Sequence, residues 1–525
     1  MIVLVADPIE EPGLELLRDA GHDVTELYDA DSAELRETVA GAHALIVRSG
    51  TTVDAGLLDA ADDLVIVGRA GIGTDNIDEE AATERGIIVA NAPGGNVRAA
   101  AEHTIAMTFA VARSIPQAHI RLREGEWAKT AFQGTELNDR TLGIVGVGRV
   151  GMDVARKLNR LGMDLVAYDP YIPVERAEQL GAELVDLDTC LQRADFLSVH
   201  TPLTPETEGM IGEEELGLLG DGYLINCARG GIVDEDALAR AVTAGKLRGA
   251  AIDVFAEEPL PADSPLLEVD DIVVTPHLGA KTETAQRAVA TEIATQVNAA
   301  LAGEPVTTAL NAPSVDPDAS PELLAYMELA ETAGRVAAQL LETRMDRVEV
   351  HASGGIGEED GGLLTAYALM GACQAFEWRT TPVNARRVAE ERGIEVYQRT
   401  ESRTRDFSDL VRVVASSDGG SIAVEGTLFE GEEPRLVRID GYRVDAIPHG
   451  HMLVVRNRDA PGVIGYIGTA LGEREINIAG MFNSRETQGG EALTVYNLDE
   501  AVPADLLAEL VDDGRIFDAR YITLN

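Results

Sequence analysis

An arginine, a glutamate and a histidine, each just beyond an apolar run, are the residues of this 525-residue chain best placed to do chemistry. Arg229 lies in LINCARGGIVD, Glu258 in AAIDVFAEEP and His277 in IVVTPHLGA. Taking a proton from a hydroxyl and a hydride from the same carbon of a small hydroxy acid needs three things. These are a base that works near neutral pH, a cation for the carboxylate and a group that holds the base. His277, Arg229 and Glu258 are residues of those types. Open parallel sheets hold their ligands at the carboxyl ends of the strands, so residues after three strands of one sheet would converge on one edge. Each alone has a plainer explanation, as a solvated charge, a turn residue or a surface imidazole. Their shared position is what gives them weight.

A second cluster stands upstream. Gly146, Gly148 and Gly151 form GVGRVG between the strand pattern TLGIV and a helix whose apolar positions Val150, Val154, Leu158 and Leu161 are expected on one face. The first two glycines permit a tight turn and close approach of backbone to a pyrophosphate, and the third lets helix pack on strand. Unpaired N–H groups at the helix N-terminus favour the same anion. The next strand, DLVAYD, ends at Asp169, about twenty residues on, where a carboxylate would bind a ribose hydroxyl and repel a 2′-phosphate. This predicts NAD rather than NADP.

The elements that must position these groups follow from periodicity. From Ile2 to Ala92, β-branched runs alternate with short helical patterns, as in a parallel sheet covered on both faces. A helical stretch from about Val97 to Glu124 comes next, and the alternation then resumes through IVVTPHLG. The helical run KTETAQRAVATEIATQVNAALAG would complete the first unit if the second is inserted into it. NAPSVDPDASPE reads as a linker. The fold class expected is α/β: two doubly wound Rossmann-like domains, the nucleotide-binding one inserted in the substrate domain, then two α+β regulatory domains. The boundaries are 1–97 with 281–315 for the substrate domain, 98–280 for the nucleotide domain, 318–450 for an intervening domain and 451–525 for a small C-terminal module. The segment from Pro321 to Gly450 carries no pattern that attaches to chemistry.

Acidic residues outnumber basic ones 90 to 43, for a net charge of −47, so nucleic acid is not an expected partner. Only four of the basic residues are lysines (Lys129, Lys157, Lys246 and Lys281), a surface expected of a salt-adapted, halophilic protein. Three cysteines at unrelated spacings predict neither a disulfide framework nor a metal site, and fit a reducing compartment. No apolar run approaches the ~18 residues of a membrane span, so a cytoplasmic protein with no membrane partner is expected.

GRAGIGTDNID, GIVGVGRVG, HTPLTPETEGMI, NCARGGIVDEDAL, DVFAEEPL and TPHLGAKT resemble the D-isomer-specific 2-hydroxyacid dehydrogenases, from about residue 40 to 312. The resemblance implies that His277 is the acid/base, that Glu258 pairs with its imidazole and that Arg229 grips carboxylate and carbonyl. It also implies NAD contacts at Arg149, Val150, Asp169, Thr201, Cys227, Ala228, Arg229 and Asp253 and from His277 through Gly279 to Ala280. The long C-terminal extension is similar to that of family members acting in serine synthesis. This implies D-3-phosphoglycerate as substrate, with Arg48, Ser49, Gly71, Gly73 and Asn96 around it. Lys129 matches a position that the family can present to a neighbouring subunit. The last module resembles an ACT domain, which implies a homo-oligomer (dimer or tetramer) and L-serine as a possible effector at Asn457, Asp459 and Asn477. A glyoxylate or hydroxypyruvate reductase or another D-2-hydroxyacid dehydrogenase, and after these a dinucleotide-sensing regulator without turnover, are the alternatives. Ala99 and Ile72 depart from the family pattern outside the catalytic trio.

Overall fold

The computed structural model describes residues 1–313, 321–341, 343–376, 380–404, 406–431 and 433–524; most of the expected linker, 314–320, lies outside the described residues. Five parallel strands form the first sheet in the spatial order Asp23–Glu26, Ile2–Val5, Ala44–Val47, Ile66–Arg69, Ile88–Asn91. Helices cover both faces, which is why these strands read as unbroken apolar runs. Leu4, Leu45 and Val67 pack with Leu35, Val39 and Leu57 on one side. On the other, Val3, Ile46 and Ile66 pack with Leu14, Leu17, Val289, Ile293 and Val297. The last three belong to the helix Glu283–Ala302, so the chain returns to the first sheet after completing the second.

The second sheet has seven parallel strands in the order Ile272–Val274, Gly249–Ile252, Tyr223–Asn226, Phe196–Val199, Thr141–Val145, Asp164–Tyr168, Ala182–Leu184. The order reverses between Thr141–Val145 and Phe196–Val199, opening a crevice above the glycine turn just after Val145.

Two local expectations need correction. The stretch Val97–Glu124 is two helices, Val97–Ala112 and Ile115–Arg123. Ser114 between them is left-handed at φ 46°, and Pro116 lacks the N–H that would continue the first helix. The first helix buries Ala101, Thr104, Met107 and Val111, whereas the second buries nothing and exposes Ile115, Ile120 and Leu122. Leu161 lies beyond the end of the helix Arg149–Asn159 and is exposed, so the buried face of that helix is Gly151, Val154, Ala155 and Leu158.

A six-stranded sheet comes next, antiparallel except for Arg347–Ser353 beside Glu395–Glu401. The chain ends in a four-stranded antiparallel sheet in the order Ile478–Arg485, Glu491–Leu498, His451–Arg458, Ile516–Thr523. Helices Val463–Gly472 and Ala504–Asp512 cover one face of it. Its other face, through Met452, Val454, Leu493, Val495 and Ile522, joins the core around the helix Pro321–Leu340. No helix among the described residues is long and apolar enough to cross a membrane.

Candidate active site

The glycine turn is built for close approach. Gly146 takes φ 94°, and a Cβ on Gly151 would lie 2.2 Å from the Gly146 carbonyl oxygen. Gly148 begins the helix Arg149–Asn159 without a side-chain cap, so the N–H groups of its first turn stay available for an anion. Arg149 is exposed and Val150 half-buried on that turn. Asp169 is fixed beside it: Oδ2 accepts the Val147 N–H at 2.8 Å and Oδ1 the Tyr171 N–H at 2.9 Å. Across the crevice the Thr201 hydroxyl oxygen is buried with no partner. An uncapped phosphate cradle, an anchored carboxylate and an orphaned hydroxyl fit a dinucleotide.

The turn after strand Tyr223–Asn226 carries Cys227, Ala228 and Arg229. Buried Asn226, which sequence reasoning passed over, clamps it by accepting the Ala228 N–H at 3.0 Å and donating to the Arg229 carbonyl at 2.9 Å. Burial and the nearby Asp253 charge push the Cys227 thiol up, which suits a wall of the site rather than a nucleophile. Gly230 packs so tightly on Phe255 that a Cβ there would lie 1.9 Å from the Phe255 oxygen. That contact seats the Arg229 turn beside the Glu258 loop, because Glu258 Oε1 accepts the Phe255 N–H at 3.1 Å.

The other Glu258 oxygen, Oε2, lies 2.8 Å from His277 Nδ1. An ionised carboxylate only accepts, so the proton of a neutral imidazole is assigned to Nδ1, and Nε2 is left with its lone pair. His277 is left-handed, at φ 53°, and its side chain is half exposed. Its N–H donates to the Asp253 carbonyl at 2.9 Å. The fully buried Asp253 carboxylate accepts the N–H groups of Leu278 at 2.9 Å and Gly279 at 2.8 Å, and the Thr275 hydroxyl at 2.5 Å. Burial opposes this charge, but hydrogen bonds from His103, Thr275 and Leu278 outweigh it and hold Asp253 below the usual carboxylate range. Ala280 lies next in the same segment and its carbonyl accepts from Gln286 at 2.8 Å. Ligand atoms of His103, Cys227 and Asp253 lie within 4.8 Å of one another, a set that could hold a cation. The Asp253 oxygens, however, are already committed to the donors just named. Burial pushes His200 down to about 4, and it bonds Ser198 Oγ at 2.8 Å.

Opposite the trio, the first sheet supplies cations. Arg229 reaches across to it, with Nε 3.0 Å from Asp75 Oδ2, Nη1 2.7 Å from its neighbour's carbonyl at Ala228, and the guanidinium edge against Gly73. Arg69, at the end of strand Ile66–Arg69, packs against Gly71, and its Nε is buried without a partner. Burial, then the charges of Arg229 and Arg48, push Arg69 down to about 10, so three guanidinium groups share this space. Sequence reasoning missed Arg69; the signal was its place at the end of VIVGR, one residue before the turn. Burial also lowers Arg48. The Arg48–Ser49 loop is held by Asp7 Oδ2, which accepts the N–H groups of Arg48 at 2.6 Å and Thr51 at 3.1 Å, and by Asn76 Nδ2 on the Arg48 carbonyl at 2.6 Å. Ser49 is exposed at its rim. Asn91 Nδ2 anchors the Ile72 carbonyl between Gly71 and Gly73 at 2.7 Å. Asn96 caps the helix Val97–Ala112 in position only: its side chain makes no cap bond, and its Oδ1 is buried without a partner.

The expected effector residues are not assembled in one chain. Asn457 and Asp459 lie together at one end of the last sheet; Asp459 bonds Arg485 at 2.5 Å and Asn457 accepts from Thr494 at 3.3 Å. Asn477, bonded to Asp499 at 2.6 Å, precedes the strand Ile478–Arg485, whose far end pairs with Ala492 next to Asn457. Eight strand residues at ~3.3 Å each put roughly 25 Å between them.

Comparison with known proteins gives three consecutive matches. Residues 105–279 match the D-isomer specific 2-hydroxyacid dehydrogenase NAD binding domain, 322–440 the D-3-phosphoglycerate dehydrogenase intervening domain and 451–515 the ACT domain. A crystal structure of the TT0316 protein from Thermus thermophilus aligns with a TM-score of 0.56 and 34% identity, over 59% of this chain and 100% of that one. The D-3-phosphoglycerate dehydrogenase of Methanocaldococcus jannaschii is 39% identical over 99% of both chains. That of Archaeoglobus fulgidus is 41% identical over 100% of both. A likeness that runs the full length of both chains, through catalytic, intervening and ACT regions alike, places this chain in the D-3-phosphoglycerate dehydrogenase family.

Proposed function

We propose that the protein oxidises D-3-phosphoglycerate to 3-phosphohydroxypyruvate, the first step of L-serine synthesis, with Arg229, Glu258 and His277 as its catalytic groups. The observation that carries this reading is the cluster of Arg48, Arg69 and Arg229, the last on the turn seated beside the loop of Glu258, which pairs with His277. A small monoanion such as glyoxylate needs one guanidinium; a substrate with a carboxylate and a phosphate uses three. Arg229 binds the carboxylate and, through the Gly73 edge, orients the carbon that bears the hydroxyl. Arg48 and Arg69 hold the phosphate, and the unpartnered Asn96 oxygen accepts from a substrate hydroxyl. His277 Nε2 takes the hydroxyl proton, and Glu258, bonded to Nδ1, stabilises the imidazolium that results. Gly146, Gly148, Gly151, Asp169 and Thr201 would hold NAD, which would supply the acceptor for the hydride. The site works in the cytoplasm of a cell with a salt-rich interior, which the acidic, lysine-poor surface fits.

Comparing D-3-phosphoglycerate with D-glycerate tests the substrate. Charge-assisted hydrogen bonds contribute ~1.5–3 kcal/mol each, so kcat/KM for the phosphorylated acid should be higher by at least ~10²-fold. Equal values for the two acids would remove the phosphate from the reading and return it to an unphosphorylated hydroxy acid.

L-serine binding at Asn457, Asp459 and Asn477 requires a second copy of the chain. Strand Ile478–Arg485 is the edge of its sheet and exposes Met481 and Phe482. Two-fold antiparallel pairing along this edge brings Asn477 of one copy towards Asn457 and Asp459 of the other. The exposed helix Ile115–Arg123, with Trp127 82% exposed and Lys129 just after it, offers a second self-association face. Light scattering should give a dimer or tetramer, and L-serine should slow the wild type but not Asn477→Ala. Inhibition that survives this substitution would place serine elsewhere.

A further inference from the structure

We propose that His103 is a positioning residue for the acid/base: it anchors Asp253, and through Asp253 the left-handed turn that aims His277. The proposal rests on the reading of His277 as the base.

Four groups donate to the Asp253 carboxylate, and three of them, Thr275 Oγ1 and the N–H groups of Leu278 and Gly279, belong to the segment that carries His277. The backbone N–H of His277 itself goes to the Asp253 carbonyl. Asp253 therefore holds the turn from both sides of the histidine, in a conformation that a non-glycine residue adopts only when its surroundings enforce it. Three of these donors belong to the turn itself, so they do not orient the carboxylate independently of it. The fourth comes from another element. His103 Nε2 lies 3.1 Å from Asp253 Oδ1 and 3.3 Å from Thr275 Oγ1. Because the carboxylate only accepts, Nε2 carries the proton in this arrangement.

His103 sits on the helix Val97–Ala112, which packs across the second sheet. Seven residues earlier, two turns along the same face, that helix begins at Asn96, whose buried oxygen has no partner and which the proposed function assigns to substrate. Ala100 lies between them, and a Cβ on Gly279 would meet it at 3.9 Å. One helix face thus carries Asn96, assigned above to substrate, meets the turn at Ala100 and holds the carboxylate at His103, so the position of the base is tied to that helix. Removing the imidazole leaves the buried carboxylate with donors from the His277 turn alone, and His277 Nε2 loses its aim.

The test compares His103→Ala and His103→Gln with wild type in the full-length protein. The readouts are kcat, KM, NAD affinity, melting temperature and the kinetic isotope effect with D-3-phosphoglycerate deuterated at C2. A misaimed base costs on the order of 10- to 100-fold, so His103→Ala should lose that much kcat with KM for D-3-phosphoglycerate within about threefold, and its isotope effect at saturating NAD should rise as chemistry becomes limiting. Glutamine, whose Nε2 can donate to Asp253, should recover kcat to within about fivefold. Thr275→Val, which removes another donor from the same carboxylate, should reproduce the alanine signature if His103→Ala fails to fold. Wild-type kcat in His103→Ala, or equal losses with alanine and glutamine, would overturn the inference while leaving the base assignment intact. His277→Ala is run beside them, and turnover surviving in that variant would overturn both.

Discussion

Replacing His277 by alanine is expected to cut turnover of D-3-phosphoglycerate by at least ~10³-fold while the protein still binds NAD within about fivefold of wild type. The imidazole is the group at this edge of the sheet with a proton-bearing nitrogen fixed by a carboxylate, 2.8 Å from Glu258, and a second nitrogen left for substrate. His200, a second imidazole by the crevice, is pushed down to about 4 by burial and is bonded to Ser198, and His103 Nε2 is committed to Asp253, so neither offers a substitute. The glycine turn and Asp169 lie on other strands and do not touch His277, which is why cofactor binding should survive. Single-turnover measurements with the NAD-saturated variant separate the two effects. A variant that turns over within tenfold of wild type would show that another group removes the proton.

The second large effect is expected at Arg229, and there the conservative change is the informative one. Arg229→Lys should lower kcat/KM by ~10²- to 10³-fold. The guanidinium makes contacts in several directions at once: Nε to Asp75, Nη1 to the Ala228 carbonyl, and its edge along the Gly73 backbone towards the substrate. An ammonium is a single point charge on a flexible stem and cannot reproduce a planar fork that binds a carboxylate through two parallel hydrogen bonds. Steady-state kinetics with both D-3-phosphoglycerate and D-glycerate check this, because loss of the carboxylate contact should penalise the two acids alike. A loss confined to the phosphorylated acid would instead assign Arg229 to the phosphate.

The proposed catalytic trio is legible in the sequence because of how a parallel sheet presents its ends. Arg229, Glu258 and His277 each come after a buried strand, and strands that run the same way deliver the loops beyond them to one edge. The glycine turn was legible for a similar reason: the spacing from Val147 to Asp169 is one helix and one strand, and the Val147 nitrogen and Asp169 oxygen meet at 2.8 Å. Arg69 was not legible, because an arginine that ends a strand is ordinary until the fold buries it beside Arg48 and Arg229. The break at Ser114 was missed because apolar residues continue at helical spacing on both sides of it; the second helix faces outward. His103 and Asn226 act through hydrogen bonds to carboxylate and backbone groups that no local pattern announces. The region after Pro321 resisted reading because its core is shared: side chains of the last sheet complete the packing of the helix before it, so neither half shows a self-contained pattern.

The most direct measurement is the rate of NADH formation at 340 nm when D-3-phosphoglycerate and NAD are mixed with the protein in concentrated salt, beside His277→Ala under the same conditions. The proposed activity predicts steady NADH production by the wild type and none above background by the variant. Tight NAD binding with no turnover of D-3-phosphoglycerate by the wild type would contradict it.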